Sequence, residues 1–312
     1  MPRAWLFAPI VMAIGDSTEA ASTGSCAFAM ATSPGIERLK TESRLREGPV
    51  PDALVDPLTV TPTYAISRDA FLLRLPMGLS FHYRRGAGTV YARSASVSDK
   101  EVALFFDGSV YGAIAWLNGL VPLHASAVSD GTGIHAFTGV SGEGKSTLVA
   151  ALAGRGLTVC SDDVLVLDLA DPTRIMAIPG HSRLKLWGDA LGLTGNRSED
   201  AVRPGIDKFY VADRMIFDPT PLPLRRLYVL ESVVNADTGI APLNGAERFT
   251  ALRSAYYRPQ FCSVNAAPAA YFETTARLSS AIAISRFNRS RDPGAFAATV
   301  SMIEADIRGS VA

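Results

Sequence analysis

One stretch decides the fold, and it reads Gly139-Val140-Ser141-Gly142-Glu143-Gly144-Lys145-Ser146-Thr147. It fits the pattern G-x-x-x-x-G-K-[S/T], which is typical of a phosphate-binding P-loop. The apolar residues 134–137 before it predict a short strand, and the run from Ser146 to Ala153 after it, rich in Ala and Leu, predicts a helix. A P-loop lies between a strand and a helix, so the flanking sequence supports the motif over a glycine-rich turn with a surface lysine.

Each residue type in this loop suits phosphate binding. Glycines let the backbone turn tightly and bring its N–H groups against phosphate oxygens. The start of the following helix adds a favourable dipole and free N–H donors. Lys145 places a cation near the outer phosphates, and the Ser146 hydroxyl is predicted to hold Mg²⁺. The sequence therefore predicts that residues 139–147 bind ATP, with Mg²⁺ as the metal.

The composition limits the class of protein. The chain has 312 residues, of which 48% are hydrophobic and 19% charged, so it is globular and long enough for one or two domains. Thirty basic residues balance thirty acidic ones, and this neutrality argues against nucleic acid or a membrane as a partner. Three widely spaced cysteines, Cys26, Cys160 and Cys262, form no metal motif and suit a reducing compartment.

The N-terminus allows two interpretations. An apolar run from Ala4 to Gly15 follows Arg3, and small residues come soon after it, which resembles a weak signal peptide. The run is too short for a membrane-spanning helix. Because a site that uses ATP belongs where ATP is found, we expect a cytoplasmic protein, with export as the alternative.

The first third of the chain predicts a small β-rich region. Residues 16–60 are rich in Ser, Thr, Gly and Pro and predict loops with one short helix. We place the domain boundary at residue 107, so that residues 1–107 form the β-rich region and 108–312 the catalytic domain. Short strands are predicted at 71–75, 80–84 and 89–92, and a helix at 109–118.

The segment around the P-loop predicts an α/β sheet. The apolar run from Val121 to Val128 contains His124, and Asp130-Gly131 after it is a hairpin signal. The strand with His124 is therefore expected beside the strand that leads into the P-loop. A buried strand at 157–160 ends at Asp162-Asp163, and ligands of open α/β sheets gather at such strand ends. Further strands are predicted at 164–169, 208–211 and 226–230, and helices at 245–257 and 294–307.

The order of His124, the P-loop and Asp162-Asp163 resembles the HPr kinase-like proteins. More narrowly, it resembles the HPr-kinase-related enzymes found with lasso-peptide biosynthesis, which phosphorylate a precursor peptide. The resemblance covers roughly residues 71–211 and is best at 123–167. It implies an α/β fold of the HPr kinase and phosphoenolpyruvate carboxykinase type, in which helices flank a mixed sheet, and it implies a homo-oligomer.

The same resemblance implies roles for four residues. His124 matches the active-site histidine, Lys145 the phosphate-binding lysine and Ser146 the metal-binding hydroxyl. The Asp162-Asp163 pair matches the acidic pair that supplies a general base and a metal contact. HPr kinase/phosphorylases carry a Glu-x-Arg-Gly segment after this pair, whereas residues 178–184 here contain no glutamate. That difference argues against the reverse, dephosphorylating activity and against HPr as the substrate.

We expect His124, Lys145, Asp162 and Asp163 to be catalytic. Adjacent residues on a strand point to opposite faces, so the two aspartates have different roles, and we expect Asp162 to be the base and Asp163 to join Ser146 at the metal. For one of the pair the alternative is a turn cap, and for His124 it is a buried histidine bonded to the backbone. Substrate-binding candidates, for which a solvated basic face is the alternative, are Arg183, Lys185, Arg203 and Lys208.

The sequence therefore predicts an ATP- and Mg²⁺-dependent kinase. Its acceptor is expected to be a hydroxyl, and the resemblance implies a serine near the C-terminus of a ribosomally made lasso-peptide precursor. A small-molecule or protein serine kinase on the same fold is one alternative. A nucleotide-dependent switch, which would bind ATP and transfer nothing, is another.

Overall fold

The computed structural model describes residues 33–180, 184–194, 198–202, 207–211, 220–232, 238–264 and 268–309. The fold is mixed α/β, as predicted, with sheets flanked by helices. No helix in these ranges is both long and apolar enough to span a bilayer. The signal-peptide interpretation of the N-terminus falls outside the described residues.

A sheet follows the first helix, and it is antiparallel except that its first strand pairs in parallel with its last. Ser33 caps helix α1 (Pro34–Glu42) by accepting a hydrogen bond from the Ile36 N–H. Side chains in the sheet alternate between the core and the surface, as in residues 79–84, because successive residues on a strand point to opposite faces. Within the described residues the strand order is β1-β6-β5-β4-β3-β2. The strands are β1 (Leu45–Glu47), β2 (Thr59–Val60), β3 (Tyr64–Ile66), β4 (Ala70–Leu75), β5 (Leu79–Arg84) and β6 (Gly88–Arg93).

The next helical segment begins ten residues earlier than the predicted start at 109. Ser98 and Glu101 form a capping box that starts helix α2 (Asp99–Phe105). The helix then continues through a π-helical turn, Phe106–Val110, into α3 (Tyr111–Leu117). The predicted start is wrong because the capping box formed by Ser98 and Glu101 begins the helical segment earlier.

The P-loop belongs to a second, larger sheet. Residues 121–178 contribute β7 (Val121–His124), β8 (Ser126–Ser129), β9 (Ile134–Thr138), helix α4 (Lys145–Ala153), β10 (Thr158–Ser161), β11 (Val164–Asp168) and β12 (Met176–Ile178). The predicted hairpin at Asp130-Gly131 is confirmed, since β8 and β9 pair in antiparallel register across it. The predicted place of His124 is wrong: its strand, β7, pairs with β11, and β8 takes the position beside β9. The reason is that the chain leaves one ladder and enters another at Ala125.

A three-stranded sheet follows, within the described residues, in the order β13-β15-β14. The predicted strand at 208–211 is confirmed. The elements are β13 (Lys185–Trp187), helix α5 (Gly188–Thr194), β14 (Ser198–Ala201) and β15 (Lys208–Val211).

The C-terminal third completes the large sheet and covers it. Its elements are β16 (Leu222–Ser232), β17 (Gly239–Pro242), α6 (Gly245–Ala255), a 3₁₀ turn (Pro259–Val264), α7 (Pro268–Ala281), β18 (Ala283–Arg289) and α8 (Phe296–Gly309). The predicted strand at 226–230 lies inside β16, and both predicted helices are confirmed as α6 and α8. Neither α7 nor β18 was predicted.

The large sheet has a parallel centre and antiparallel flanks. In the described chain its order is β10-β8-β9-β16-β12-β11-β7, and β18 pairs with β16 and with β17. Strands β9, β16 and β18 run parallel, so their carboxyl ends meet at one edge, next to the P-loop. Helices α4 and α8 pack on one face through Leu148, Val149, Val300, Ile303 and Ile307. These contacts fix α4, and therefore the P-loop, against the end of β9.

Two antiparallel strand pairings end close together at one point of this sheet. Pairing between β10 and β8 ends at Ser161 opposite Ala127, and pairing between β11 and β7 begins at Val164 opposite His124. Asp162 and Asp163 lie between those two ladders. Ala125 lies between β7 and β8, the strands with which β11 and β10 pair. We call this point the sheet corner, and it places Asp162 beside the start of α4 and Asp163 beside His124.

Candidate functional site

The loop between β9 and α4 bends through three glycines in conformations that other residues rarely adopt. Gly139, Gly142 and Gly144 have φ angles of 146°, 91° and 70°, which side-chain-bearing residues adopt at a cost. Gly139 also approaches β16 closely, since a Cβ on it would lie 2.8 Å from the Leu230 carbonyl oxygen. The loop therefore requires glycine at its first position for space as well as for conformation.

Lys145 folds back across the loop. Its Nζ donates to the carbonyl oxygens of Gly139 at 2.9 Å and of Val140 at 3.4 Å, and the residue is only 7% exposed. These contacts hold the ammonium group inside the loop, on the side where phosphate oxygens would meet the N–H groups at the start of α4.

Asp162 is fixed beside the first turn of α4. Its Oδ1 accepts hydrogen bonds from the Ser146 hydroxyl at 2.7 Å and from the Ser126 hydroxyl at 2.9 Å. Its Oδ2 accepts from the Lys185 backbone N–H at 2.9 Å. Both carboxylate oxygens are thus oriented by the P-loop serine and by two other elements, and the carboxylate lies against the loop.

Asp163 pairs with His124 instead. The His124 Nδ1 lies 3.2 Å from Asp163 Oδ1 and 3.1 Å from its carbonyl oxygen. The Asp163 φ angle is +88°, a left-handed conformation rare outside glycine, and it turns the side chain away from that of Asp162. Both side chains stay partly exposed, His124 at 32% and Asp163 at 41%. This pair can therefore meet a substrate that arrives from solvent.

The ring of Tyr257 lies next to the ring of His124. The two ring centroids are 6.0 Å apart. The tyrosine fits because Gly112 has no side chain: a Cβ there would lie 2.7 Å from its ring. Burial raises the pKa of Tyr257, and the charge of Asp163 raises it further, so the phenol stays protonated near neutral pH.

The predicted substrate-binding residues have different outcomes. Lys185 is buried in β13, and its backbone orients Asp162. Lys208 lies in β15. Arg183 and Arg203 lie outside the described residues, so the basic set stays a prediction.

The oxygen atoms beside the loop are suitable ligands for a hard divalent cation such as Mg²⁺. No group of three or more His, Cys, Asp or Glu side chains that could hold a metal occurs in the described ranges. Ser146 and Asp162 nevertheless offer two oxygen atoms 2.7 Å apart beside the P-loop. Mg²⁺ in nucleotide sites is bound by one or two protein oxygens, with phosphates and water completing the shell, and the arrangement fits that pattern.

The sequence interpretation missed several residues at this site. Ser126 had a local signal, because it lies two residues after His124 and a strand of period two turns both to one face. Arg289 and Arg291 approach the loop residue Glu143 from the end of β18. Their position depends on the pairing of β18 with β16, so no local pattern could have revealed it.

Comparison with known proteins finds likeness in structure but none in sequence. The chain is similar to the solved structure of the HPr(Ser) kinase/phosphatase from Coxiella burnetii, with 12% identity and a TM-score of 0.32 over 61% of this chain and 99% of that one. No family model matches the sequence. No curated protein matches it either. A likeness this distant identifies neither a family nor a substrate.

Proposed function

We propose that this protein is a kinase that transfers the γ-phosphoryl group of ATP to a hydroxyl group. The observation that carries the proposal is the pair of carboxylates at the sheet corner, one bonded to the P-loop serine and the other to His124. Phosphoryl transfer needs charge neutralisation at the phosphates and a place for the acceptor's proton. The two aspartates divide these tasks.

The contacts favour the reverse of the roles expected from the sequence. Asp162 bonds to Ser146 and is fixed by two further donors, so we assign it with Ser146 to the metal. Mg²⁺ bound there would neutralise charge on the phosphates. The Asp163 side chain is 41% exposed and faces His124, so we assign it as the general base.

In the transfer step, Asp163 accepts the proton of the acceptor hydroxyl as the hydroxyl oxygen forms its bond to the γ-phosphorus. The bond between that phosphorus and the oxygen bridging it to the β-phosphate breaks, and ADP leaves with the electron pair. Lys145 and the N–H groups of the loop hold the phosphates. His124 orients the Asp163 carboxylate through their 3.2 Å contact.

The acceptor we propose is a serine near the C-terminus of a lasso-peptide precursor. The support is the sequence resemblance around His124, the P-loop and the aspartate pair. Asp163 and His124 are partly exposed, so a peptide can reach them from solvent. We propose a cytoplasmic enzyme, possessing a β-rich region at 1–107 and acting as a homo-oligomer, on the same sequence grounds.

The experiment is mass spectrometry of precursor peptides encoded next to the gene, incubated with the protein, ATP and Mg²⁺. We expect one or more additions of a phosphate group with wild-type protein and none with Lys145→Ala. Lys100→Ala, which changes an exposed lysine on α2, is the matched control and should retain full activity. ATP turnover without peptide would favour a small-molecule kinase. Tight ATP binding without transfer to any hydroxyl would favour a switch and overturn the proposal.

A further inference from the structure

The end of β18 places basic residues beside the P-loop. Ser232, at the end of β16, pairs in register with Arg289, at the end of β18. Both strands run parallel to β9, whose end leads into the loop. Arg289 is therefore positioned by the sheet itself, at the edge where the P-loop begins, and Arg291 follows two residues later.

Glu143 in the loop binds these residues. Its Oε1 accepts a hydrogen bond from Arg291 Nη2 at 2.7 Å, and its Oε2 lies 3.9 Å from Arg289 Nη2. The Ser232 hydroxyl also donates to the carboxylate, and Arg289 donates to the Glu143 carbonyl oxygen. Burial of Glu143 opposes its charge, yet the bonds from Ser232 and Arg291 keep its pKa below the usual value. Glu143 is thus an anion, and two guanidinium groups share it.

The arginines also border open space beside the loop. A cleft of 650 Å³ is lined by Gly142, Gly144, Thr147, Arg289 and Arg291, among others. Arg289 lies against the loop itself, since a Cβ on Gly144 would be 2.9 Å from its Nη2. Its Nε is buried and has no hydrogen-bond partner in the part of the chain that the structure describes. Asp207 and Asp292 also line this cleft, so any affinity for an anion has to come from the paired guanidinium donors and not from an excess of positive charge.

We propose that Arg289 and Arg291 bind the phosphates of the nucleotide beside the P-loop, and that Glu143 competes with those phosphates for both arginines. This inference rests on the proposed function, because it takes the P-loop ligand to be a nucleoside triphosphate. Guanidinium groups match phosphate oxygens with paired donors. In the absence of a ligand, Glu143 keeps the two arginines aligned beside the loop.

A purely structural ion pair predicts something different. In that case the arginines would only tie β18 to the loop, and their replacement would change stability without changing phosphate affinity. The removal of Glu143 separates the two interpretations. Competition predicts tighter binding of phosphates by Glu143→Gln, because the arginines are then released to the ligand.

The test is calorimetric titration of the full-length protein with ATP, inorganic tripolyphosphate and adenosine. Arg291→Gln should weaken binding of ATP and tripolyphosphate about tenfold, as expected for the loss of one charge-assisted hydrogen bond. Glu143→Gln should tighten both, and adenosine should bind all variants equally. Arg286→Gln is the matched control, since Arg286 lies on the same strand and binds Glu231 and Glu247 instead.

Arg289 is largely buried, so its role is tested with Arg289→Lys, which keeps the charge and loses the paired donors. We expect weaker ATP binding with a melting temperature close to that of the wild type. Wild-type affinity in Arg291→Gln, or weaker ATP binding in Glu143→Gln, would overturn the inference. If one of these outcomes occurs while Lys145→Ala abolishes ATP binding in the same assay, only the inference about the arginines fails and the proposed function stands. If Lys145→Ala binds ATP normally, the proposed function itself fails.

Discussion

At the scale of single residues, the two adjacent aspartates show how the backbone gives neighbouring side chains different partners. Asp162 turns to Ser146 and Asp163 turns to His124. The left-handed φ angle of Asp163 makes this divergence possible. Asparagine tolerates such a conformation better than alanine does, so Asn is the informative substitution at both positions.

We predict that the two Asn variants fail in different ways. Asp163→Asn should lower kcat about 100-fold or more, because it removes the base, and leave the affinity for ATP near that of the wild type. Asp162→Asn should raise the Mg²⁺ concentration needed for half-maximal activity, because it removes a charged ligand. Steady-state kinetics with Mg²⁺ titration measures both, with melting curves as the folding control. If Asp163→Asn raised the required Mg²⁺ concentration and Asp162→Asn did not, Asp163 would be the metal ligand and Asp162 the base, as the sequence predicted.

A second prediction concerns His135, which is buried on β9. Its Nε2 lies 3.2 Å from Asp130 Oδ2, while its Nδ1 is buried without a hydrogen-bond partner among the described residues. Burial lowers the pKa of His135 despite the nearby carboxylate. The unfolded chain therefore takes up a proton as the pH falls through about 6.5, and the folded chain resists it.

The stability of the wild type should consequently fall between pH 7.5 and 5.5, with His135 contributing up to about 1.4 kcal/mol per pH unit. His135→Gln should reduce this dependence. Urea unfolding at the two pH values measures it. An equal loss of stability in the wild type and in His135→Gln would show that His135 does not cause the effect.

At the scale of elements, the contact between the P-loop and β16 determines where the loop begins. The missing side chain of Gly139 lets the Leu230 carbonyl approach. Gly139→Ala should displace the loop, weaken ATP binding more than tenfold and lower the melting temperature, because both the φ angle and the space are lost. Gly192→Ala is the matched control, since a Cβ at that position of α5 meets nothing within 4 Å. Unchanged ATP affinity in Gly139→Ala would contradict this reading of the loop.

Elements with local signals could be predicted from the sequence. The P-loop with its strand and helix, the hairpin at Asp130-Gly131 and the strands at 71–75 and 80–84 all carry their own patterns. The place of His124 could not be predicted, because it depends on a strand that changes partners at Ala125. Arg289 lies 146 residues from Glu143 in sequence, and only the pairing of β18 with β16 brings them together.

At the scale of the whole molecule, aromatic side chains connect the first sheet to the rest. Phe261, from the 3₁₀ turn after α6, lies 5.0 Å from Tyr64 and 4.9 Å from Phe71 between ring centroids. One cluster of buried residues includes members of the first sheet and of the large sheet, such as Phe81 and Leu165. Buried residues on both sides of residue 107 therefore belong to one cluster, while the domain boundary at that residue stays a prediction.

We predict a single unfolding transition for the described part of the chain. Phe261→Ala should cost about 3–5 kcal/mol, as expected for a buried phenylalanine, and should shift the whole transition rather than one part of it. Urea unfolding followed by tryptophan fluorescence and by far-ultraviolet circular dichroism tests this, because coincident curves indicate one cooperative unit. Two separate transitions would show that the β-rich region unfolds independently.

The sheet corner has a consequence for how the protein responds to heat. The pairing of strands steps from Ser161 to Val164 and passes over Asp162 and Asp163, so the backbone that carries both carboxylates is held by fewer ladder bonds than the strands around it. Local opening is easiest where such bonds are few. Warming should therefore inactivate the protein several degrees below its melting temperature, and the lost activity should return on cooling.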